Sequence, residues 1–251
     1  MIKGLIKYVN DLNKNYVIFD IGARDCLQSI EFYNNFPNSK IYSFECNPNT
    51  LKICENNIKK FSDRIKLIKG AVADYNGKIN FYPINQKKTR TSWKDGNPGA
   101  SSIFLSNGQY KLEKYVQDKI VTNCFRLDYI IRKNKIKKVD IIWMDLQGAE
   151  LLALKSLGEN IYNVEFIYTE VSYKEIYTGQ VMFNEIHNYI LSKNFEILNT
   201  PVIYKNKKAW QDNLIYKRKR NEFDIVICLG KNDVDIIKKQ IKFTKKYILG
   251  Y

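Results

Sequence analysis

Residues 17–25 read Val-Ile-Phe-Asp-Ile-Gly-Ala-Arg-Asp, and residues 41–45 read Ile-Tyr-Ser-Phe-Glu. This pair of segments restricts the fold more than any other feature of the chain. The first is an apolar strand that breaks at a glycine. The second is the following strand, which ends on a carboxylate. A strand, a glycine turn, a helix and a strand-end acid are the means by which an α/β sheet holds a nucleoside. Gly22 lets a ligand approach the backbone, and Glu45 accepts hydrogen bonds from the two ribose hydroxyls. The reading is an enzyme with a small-molecule cofactor.

The turn also narrows the cofactor. A dinucleotide site carries G-x-G-x-x-G, with a helix N-terminus aimed at the pyrophosphate. Here only Gly22 is present, and Arg24, Asp25 and Cys26 fill the rest of the turn. Asp20 and Asp25 are poor neighbours for a pyrophosphate. They suit a ligand that carries an ammonium and a sulfonium, which describes S-adenosylmethionine. The plainer alternative is any α/β strand that turns at a glycine, and Glu45 at the expected distance weighs against it.

At 251 residues, with 45% hydrophobic and 14% aromatic content, the chain buries one substantial core. The five cysteines, Cys26, Cys46, Cys54, Cys124 and Cys228, are odd in number and lack C-x-x-C spacing, which argues against a disulfide framework and a zinc site. The expected setting is a reducing cytoplasm. No apolar run is long enough to span a bilayer, and Lys3, Lys7 and Asp11 interrupt any signal-peptide pattern. The net charge is +15, and residues 205–251 hold thirteen Lys or Arg against five Asp or Glu. That excess is either a solvated surface or an attraction to an anionic partner such as a nucleotide-linked sugar, a phosphorylated glycan, a membrane surface or RNA.

Strand-like and helical runs alternate, which predicts a mostly parallel sheet covered on both faces. Helices are expected at 2–13, 27–36, 49–60, 110–117, 127–133, 149–157, 181–193 and 232–246. Strands are expected at 16–21, 40–45, 65–70, 78–82, 119–125, 139–144, 164–170, 195–199, 213–217 and 224–228. Residues 84–107 form the longest irregular segment, and long loops in compact domains are usually functional or disordered.

Several segments in fixed order resemble the FkbM-type S-adenosylmethionine-dependent methyltransferases, over roughly residues 16–217. They are Asp-Ile-Gly-Ala at 20–23, Phe-Glu-Cys-Asn-Pro at 44–48, Gly-Ala-Val-Ala-Asp at 70–74, and Trp-Met-Asp-Leu-Gln-Gly-Ala-Glu at 143–150. Residues 96–102 look like the family's Ser-containing loop, and Phe125-Arg126-Leu127-Asp128 like its R-x-L-D junction. Two departures stand out: Arg24 and Cys26 where the family's first turn has Asn and Gly, and Gln147 where it has Glu.

The resemblance implies a class I methyltransferase (Rossmann-like) α/β fold, with a seven-stranded, mostly parallel sheet, one antiparallel strand and helices on both faces. The chain is expected to be one domain, with an N-terminal helix at 1–14, a core at 16–217 and a basic extension at 218–251. The cofactor contacts would come from Asp20, Gly22, Ala23 and Arg24 in the first turn and from Glu45, Cys46 and Asn47 after the second strand. Ser29 would bind the methionine carboxylate. Ala71 and Val72 would face adenine, with Asp74 near its amino group.

Methyl transfer to a hydroxyl benefits from a base. Asp145, at the end of the fourth strand of the parallel series, is the first choice for it and also lies beside the cofactor. Glu170 is a further candidate. Glu150 is either a third candidate or a helix-dipole partner. The alternative role for these carboxylates is to hold a divalent cation that lowers the hydroxyl pKa, and no metal is predicted. His187, the single histidine, is read as a surface or supporting residue. In the long loop, Lys87, Arg90, Trp93, Asn97, Ser101 and Ser102 are the substrate candidates, because Lys and Arg favour phosphate and sugars stack on Trp.

The function expected is a cytoplasmic O-methyltransferase acting on a sugar hydroxyl in bacterial surface-glycan or capsule synthesis. The partner is a small-molecule or glycan substrate, nucleotide-linked or phosphorylated; no DNA is involved, and a homodimer is compatible. The alternatives are N-methylation of a small amine or phosphoramidate precursor, RNA methylation, and a non-catalytic binding protein built on a cofactor fold.

Overall fold

The apolar strand that opens the motif region becomes β1 (Val17–Ile21), and the chain alternates around it in a computed structural model that describes residues 2–219. The chain divides into units of Met1–Lys217 and Arg218–Tyr251. The first unit carries everything below. The strand expected at 224–228 and the helix at 232–246 lie outside the described residues.

In chain order the helices and strands are α1 (Lys3–Ile6), β1, α2 (Leu27–Asn35), β2 (Lys40–Glu45), α3 (Pro48–Ile58), β3 (Ile65–Lys69), β4 (Ala71–Val72), β5 (Gly77–Phe81), β6 (Ile120–Phe125), α4 (Leu127–Lys133), β7 (Ile141–Met144), α5 (Glu150–Ser156), β8 (Phe166–Ser172), α6 (Phe183–Ser192), β9 (Phe195–Ile197) and β10 (Gln211–Arg218). Seven strands form the main sheet in the order β3-β2-β1-β7-β8-β10-β9. The pairs β3/β2, β2/β1, β1/β7 and β7/β8 are parallel, and β10 runs antiparallel to β8.

Side-chain alternation along the strands builds a core on each face. On one face Phe19, Ile21, Ile142, Met144 and Ile167 meet Leu127, Leu154, Ile186 and Ile190 from α4, α5 and α6. On the other, Ile18, Ile41, Ile141, Trp143 and Tyr168 meet Leu5, Phe32 and Ile58 from α1, α2 and α3, with Phe36 just after α2. Every parallel strand of the sheet points its carboxyl end the same way, and β1 leaves the sheet beside β2 on one side and β7 on the other. The chain reverses its winding there, so a crevice opens at the strand ends.

Four expectations need correction. The N-terminal helix stops at Ile6, because the following Asn10–Asn13 stretch prefers turns and the Asn13 amide bonds the Asp11 carboxylate at 2.8 Å. The strands expected at 78–82 and 119–125 exist but leave the main sheet; with β4 they make a small sheet in the order β4-β6-β5. No helix forms at 110–117. That segment is extended, with bridges from Lys114 to Arg90 and from Gln117 to Ile84, and its Tyr110 and Tyr115 turn inward against Trp210 and Tyr177. Finally, Cys26 and Cys54 are joined by a disulfide, Cα to Cα 5.1 Å. Spacing rules look for local cysteine patterns, whereas these two residues meet across neighbouring helices, 28 positions apart.

Candidate active site

The crevice holds two adjoining cavities, of about 550 and 970 Å³, which share Gly22, Arg24, Gly99 and Asp145. The first lies over β1, β2 and β4, and the second over β7, β8 and β10.

Gly22 begins the turn after β1 with φ +85°, and a Cβ built there would sit 2.0 Å from the Asp145 carbonyl oxygen. Only a glycine lets β1 and β7 exit this close together. The Gly22 and Ala23 amides donate to the Phe44 carbonyl at 3.0 and 2.9 Å, which ties the turn to β2. Glu45 is buried at the end of β2. Its Oε1 accepts from the Cys46 and Asn47 amides at 2.8 and 2.6 Å, and its Oε2 from the Arg24 amide at 2.7 Å. Three of the roughly four lone-pair positions of a carboxylate are thus filled by main chain, and the Thr50 side chain competes for the fourth, so the carboxylate is not open to both ribose hydroxyls at once. Burial pushes the Glu45 carboxyl up to about 7, against the pull of these amides.

Asn47 joins the two sides of this cavity. Its Oδ1 caps α3 by accepting from the Asn49 amide, and its Nδ2 donates to Ser101 Oγ at 3.0 Å. Ser101 in turn donates to the Pro98 carbonyl at 2.7 Å and accepts from the Ile84 amide at 2.9 Å. The long loop is therefore a fixed wall. Cys46, Ala71, Val72, Phe81, Ile103 and Leu146 supply the apolar lining.

The second cavity has an aromatic floor. The β7/β8 register pairs Trp143 with Tyr168, and their rings stack at 3.4 Å. One step past the last registered pair, Met144 with Thr169, the two strands deliver Asp145 and Glu170 side by side. Gln147 Nε2 donates to Asp145 Oδ1 at 2.6 Å and to Glu170 Oε2 at 2.8 Å. Burial, and then repulsion from Asp145 and Glu150, hold the Glu170 carboxyl well above its ordinary range. Asp145 is also pushed up by desolvation, although its side chain reaches the cavity solvent. Trp93, Asn97, Tyr110, Glu113 and Tyr115 close the far wall. The Arg24 guanidinium lies over Trp93 at 5.3 Å and forms an ion pair with Asp95.

Several expected residues stand elsewhere. Asp20 and Ser29 lie beneath the turn, where the Ser29 hydroxyl donates to Asp20 and lies 2.6 Å from Ser43 Oγ. With its hydroxyl so engaged, Ser29 lines neither cavity. Glu150 accepts from the Leu146 amide at 2.8 Å and the Gly148 amide at 3.0 Å, so it holds the backbone of the turn rather than facing a ligand. Asp145, Glu150 and Glu170 do bring carboxylate oxygens within 4.8 Å of one another, but those amides occupy Glu150. Asp74 is exposed outside the cavities, and its carbonyl accepts from Arg126. Lys87 and Arg90 are exposed on the outer side of the loop, where Arg90 bridges Lys114. Ser102 is buried and donates to the Gln147 carbonyl. His187 lies on α6 with Nδ1 3.0 Å from Tyr216 Oη, far from the strand ends, and burial lowers its basicity.

Other lining residues escaped the sequence reading. Trp143 and Tyr168 are each two residues before an expected acid on their strand, and that spacing is a usable signal. Tyr110, Glu113, Tyr115, Gln211 and Asn213 carry none, since long connections bring them in.

The sheet order, the antiparallel β10 and the crevice at the ends of β1 and β7 define a class I methyltransferase. Residues 20–197 match the methyltransferase FkbM domain, and the chain belongs to that family. It is 31% identical over 183 residues to the 2-O-methyltransferase NoeI of Sinorhizobium fredii, covering 72% of this chain and 73% of that one. Its backbone is similar to the crystal structure of methyltransferase FkbM from Methylobacillus flagellatus KT, with a TM-score of 0.51 and 14% identity over 81% of this chain. The match spans 43% of that longer protein, and the likeness is one of fold.

Proposed function

We propose that this methyltransferase uses S-adenosylmethionine to methylate a hydroxyl of an uncharged sugar unit. The observation that carries the reading is the place of Asp145. It stands on the seam shared by a more apolar cavity and a polar cavity floored by stacked aromatic rings.

The residues of the first cavity suit the cofactor. Glu45, at the edge of the cavity, can take a ribose hydroxyl in place of its Thr50 contact. Ala71, Val72, Phe81 and Ile103 offer an apolar slot for a flat base, and Asp145 beside Gly22 favours a cationic centre over a phosphate. When bound, the cofactor supplies an electrophilic methyl group on a positively charged sulfur. The protein's part is to hold the acceptor in line and take its proton. Asp145 accepts the hydroxyl proton as the new carbon–oxygen bond forms.

Sugars present hydroxyls around an apolar ring face, and the second cavity offers the complement: aromatic faces with Asn97, Glu113, Gln211 and Asn213 at the edges. Among its described lining residues Arg24 is the single cation, and Asp95 already neutralises it. A phosphate drawn into this space would face Glu113, Asp145 and Glu170 unpaired. The phosphorylated acceptor suggested by Lys87 and Arg90 therefore loses its support at this site. The 2-O-methyltransferase relative agrees with oxygen as the acceptor atom.

The test pairs calorimetry with product analysis. S-adenosylmethionine should bind the purified chain, and uncharged methyl glycosides should gain one methyl group by mass spectrometry, whereas the corresponding sugar 1-phosphates should not. Asp145→Asn should lower kcat by about 100-fold or more with cofactor affinity within about twofold of wild type. Full activity of that variant removes Asp145 as the base.

A further inference from the structure

Gln147 is the residue that the rest of the molecule works hardest to place. It sits in the left-handed region with φ 51°, followed by Gly148 at φ 105°. Such a conformation is unfavourable for a side-chain-bearing residue and persists where its surroundings enforce it. Here they do so from both ends. Ser102 Oγ donates to the Gln147 carbonyl at 2.8 Å, and Tyr177 Oη, 2.7 Å from the Ala100 carbonyl, lies 2.9 Å from Gln147 Oε1. The two acids at the other end fix which way the amide points. Its NH2 therefore faces Asp145 and Glu170, one hydrogen to each at 2.6 and 2.8 Å. The opposite orientation would aim a carbonyl oxygen at two carboxylates.

We propose that Gln147 is the positioning residue of the reaction: its amide bridges Asp145 and Glu170 and holds them as one acid–base pair that shares a single proton, with Asp145 as the open, accepting member. This rests on the reading of Asp145 as the base. The hydrogen-bond pattern assigns the proton within the pair. Glu170 Oε2 already accepts two amide hydrogens, from Gln147 and from Gln211 Nε2 at 2.8 Å, so Oε1 is the oxygen left to carry it. Two adjacent carboxylates cannot both ionise cheaply away from bulk water, and they titrate as a pair. The groups facing the pair are Arg24 from the turn after β1, Glu150 from α5, Tyr168 on β8, and Glu113, Tyr115 and Tyr177 from the covering loops. Arg24 is the single cation among them, and Asp95 holds it. The amide thus does the work that a bridging cation would do between two acids, without adding charge beside a cationic cofactor.

Two variants decide the matter, assayed on the best uncharged methyl glycoside. Gln147→Leu removes both donated hydrogens. It should lower kcat at least tenfold, leave cofactor affinity within about twofold, and move the acid limb of the rate profile to higher pH by about one unit or more. Gln147→Glu, nearly isosteric, should be worst at neutral pH and recover towards wild type as the pH falls and the new acid becomes a donor. Infrared difference spectra need no acceptor. At pH 7.5 the wild type should show a carboxylic-acid band that Glu170→Gln removes and Gln147→Leu shifts. A Gln147→Leu profile that differs from wild type in height alone, a Gln147→Glu loss that is independent of pH, or a spectrum unchanged by Glu170→Gln overturns the proposal. If Asp145→Asn keeps full activity, the base assignment fails; if it is inactive while the Gln147 profiles stay in place, only the bridge fails.

Discussion

The two cavities that meet at Asp145 are built differently. The first cavity, proposed above for the cofactor, is held by main chain. Gly22 and Ala23 donate to Phe44, three amides converge on Glu45, and Asn47 caps a helix while gripping a loop. The acceptor side is held by side chains: the Trp143–Tyr168 stack, the amide of Gln147 between two acids, and a wall of tyrosines from a long loop. A backbone-built site admits few substitutions and recognises one ligand. A site built from side chains on a fixed floor can be re-lined, so cofactor choice is rigid and acceptor choice is adaptable.

The largest effect should come from Gly22→Ala. The added carbon meets the Asp145 carbonyl oxygen at 2.0 Å and the φ of +85° is unfavourable for alanine, so something in the backbone must shift. The expected outcome is a loss of about 3 kcal/mol or more in stability and at least a tenfold loss in cofactor affinity. Chemical denaturation and calorimetry measure both. An alanine tolerated at this position would break the claim that main chain builds this side.

Beneath the turn, Asp20 is buried with its carboxyl pushed up to about 7 by burial, against the hydrogen bond from Ser29. The folded protein therefore holds this proton to higher pH than the unfolded chain, where the value is near 3.8. Stability falls as the pH rises from about 4 to about 7 and is flat beyond. Glu45 and Glu150, also raised to about 7, add to the same slope, so Asp20→Asn should reduce it without abolishing it and stabilise the protein at pH 8 by on the order of 2 kcal/mol. Thermal unfolding from pH 5 to pH 8 tests it, and an unchanged slope would show that the acid is paired well enough to ionise.

The smallest effect belongs to the outer wall. Trp93 is 52% exposed and is packed against Arg24. Trp93→Ala should raise the acceptor KM several-fold, about 1 kcal/mol, with cofactor affinity unchanged. A parallel loss of cofactor affinity would blur the division between the two sides.

The same division explains what the sequence made legible. Gly22, Glu45, Ala71 and Val72 line the first cavity together because backbone geometry needs particular residue types at short spacings, and such patterns survive in one dimension. Strand alternation also set the sheet and its two cores. The sequence reading misplaced Ser29, since the same helix start serves a ligand or a buried acid depending on which way it turns. It favoured Lys87 and Arg90 by charge, but charge does not say which side of a loop faces in. It passed over Tyr110, Tyr115 and Tyr177, whose roles follow from long connections rather than local pattern. Gln147 was visible as a departure from the family motif, yet its partners Glu170, Gln211 and Tyr177 are assembled only by the fold.

The bridge between Cys26 and Cys54 encloses α2, β2 and the start of α3, and with them Glu45 and Asn47. This segment of the first cavity's wall is therefore a closed hoop. A single backbone cut between residues 27 and 53 would leave the pieces tethered, and while the thiols stay joined this hoop has fewer ways to unravel than the acceptor wall across from it.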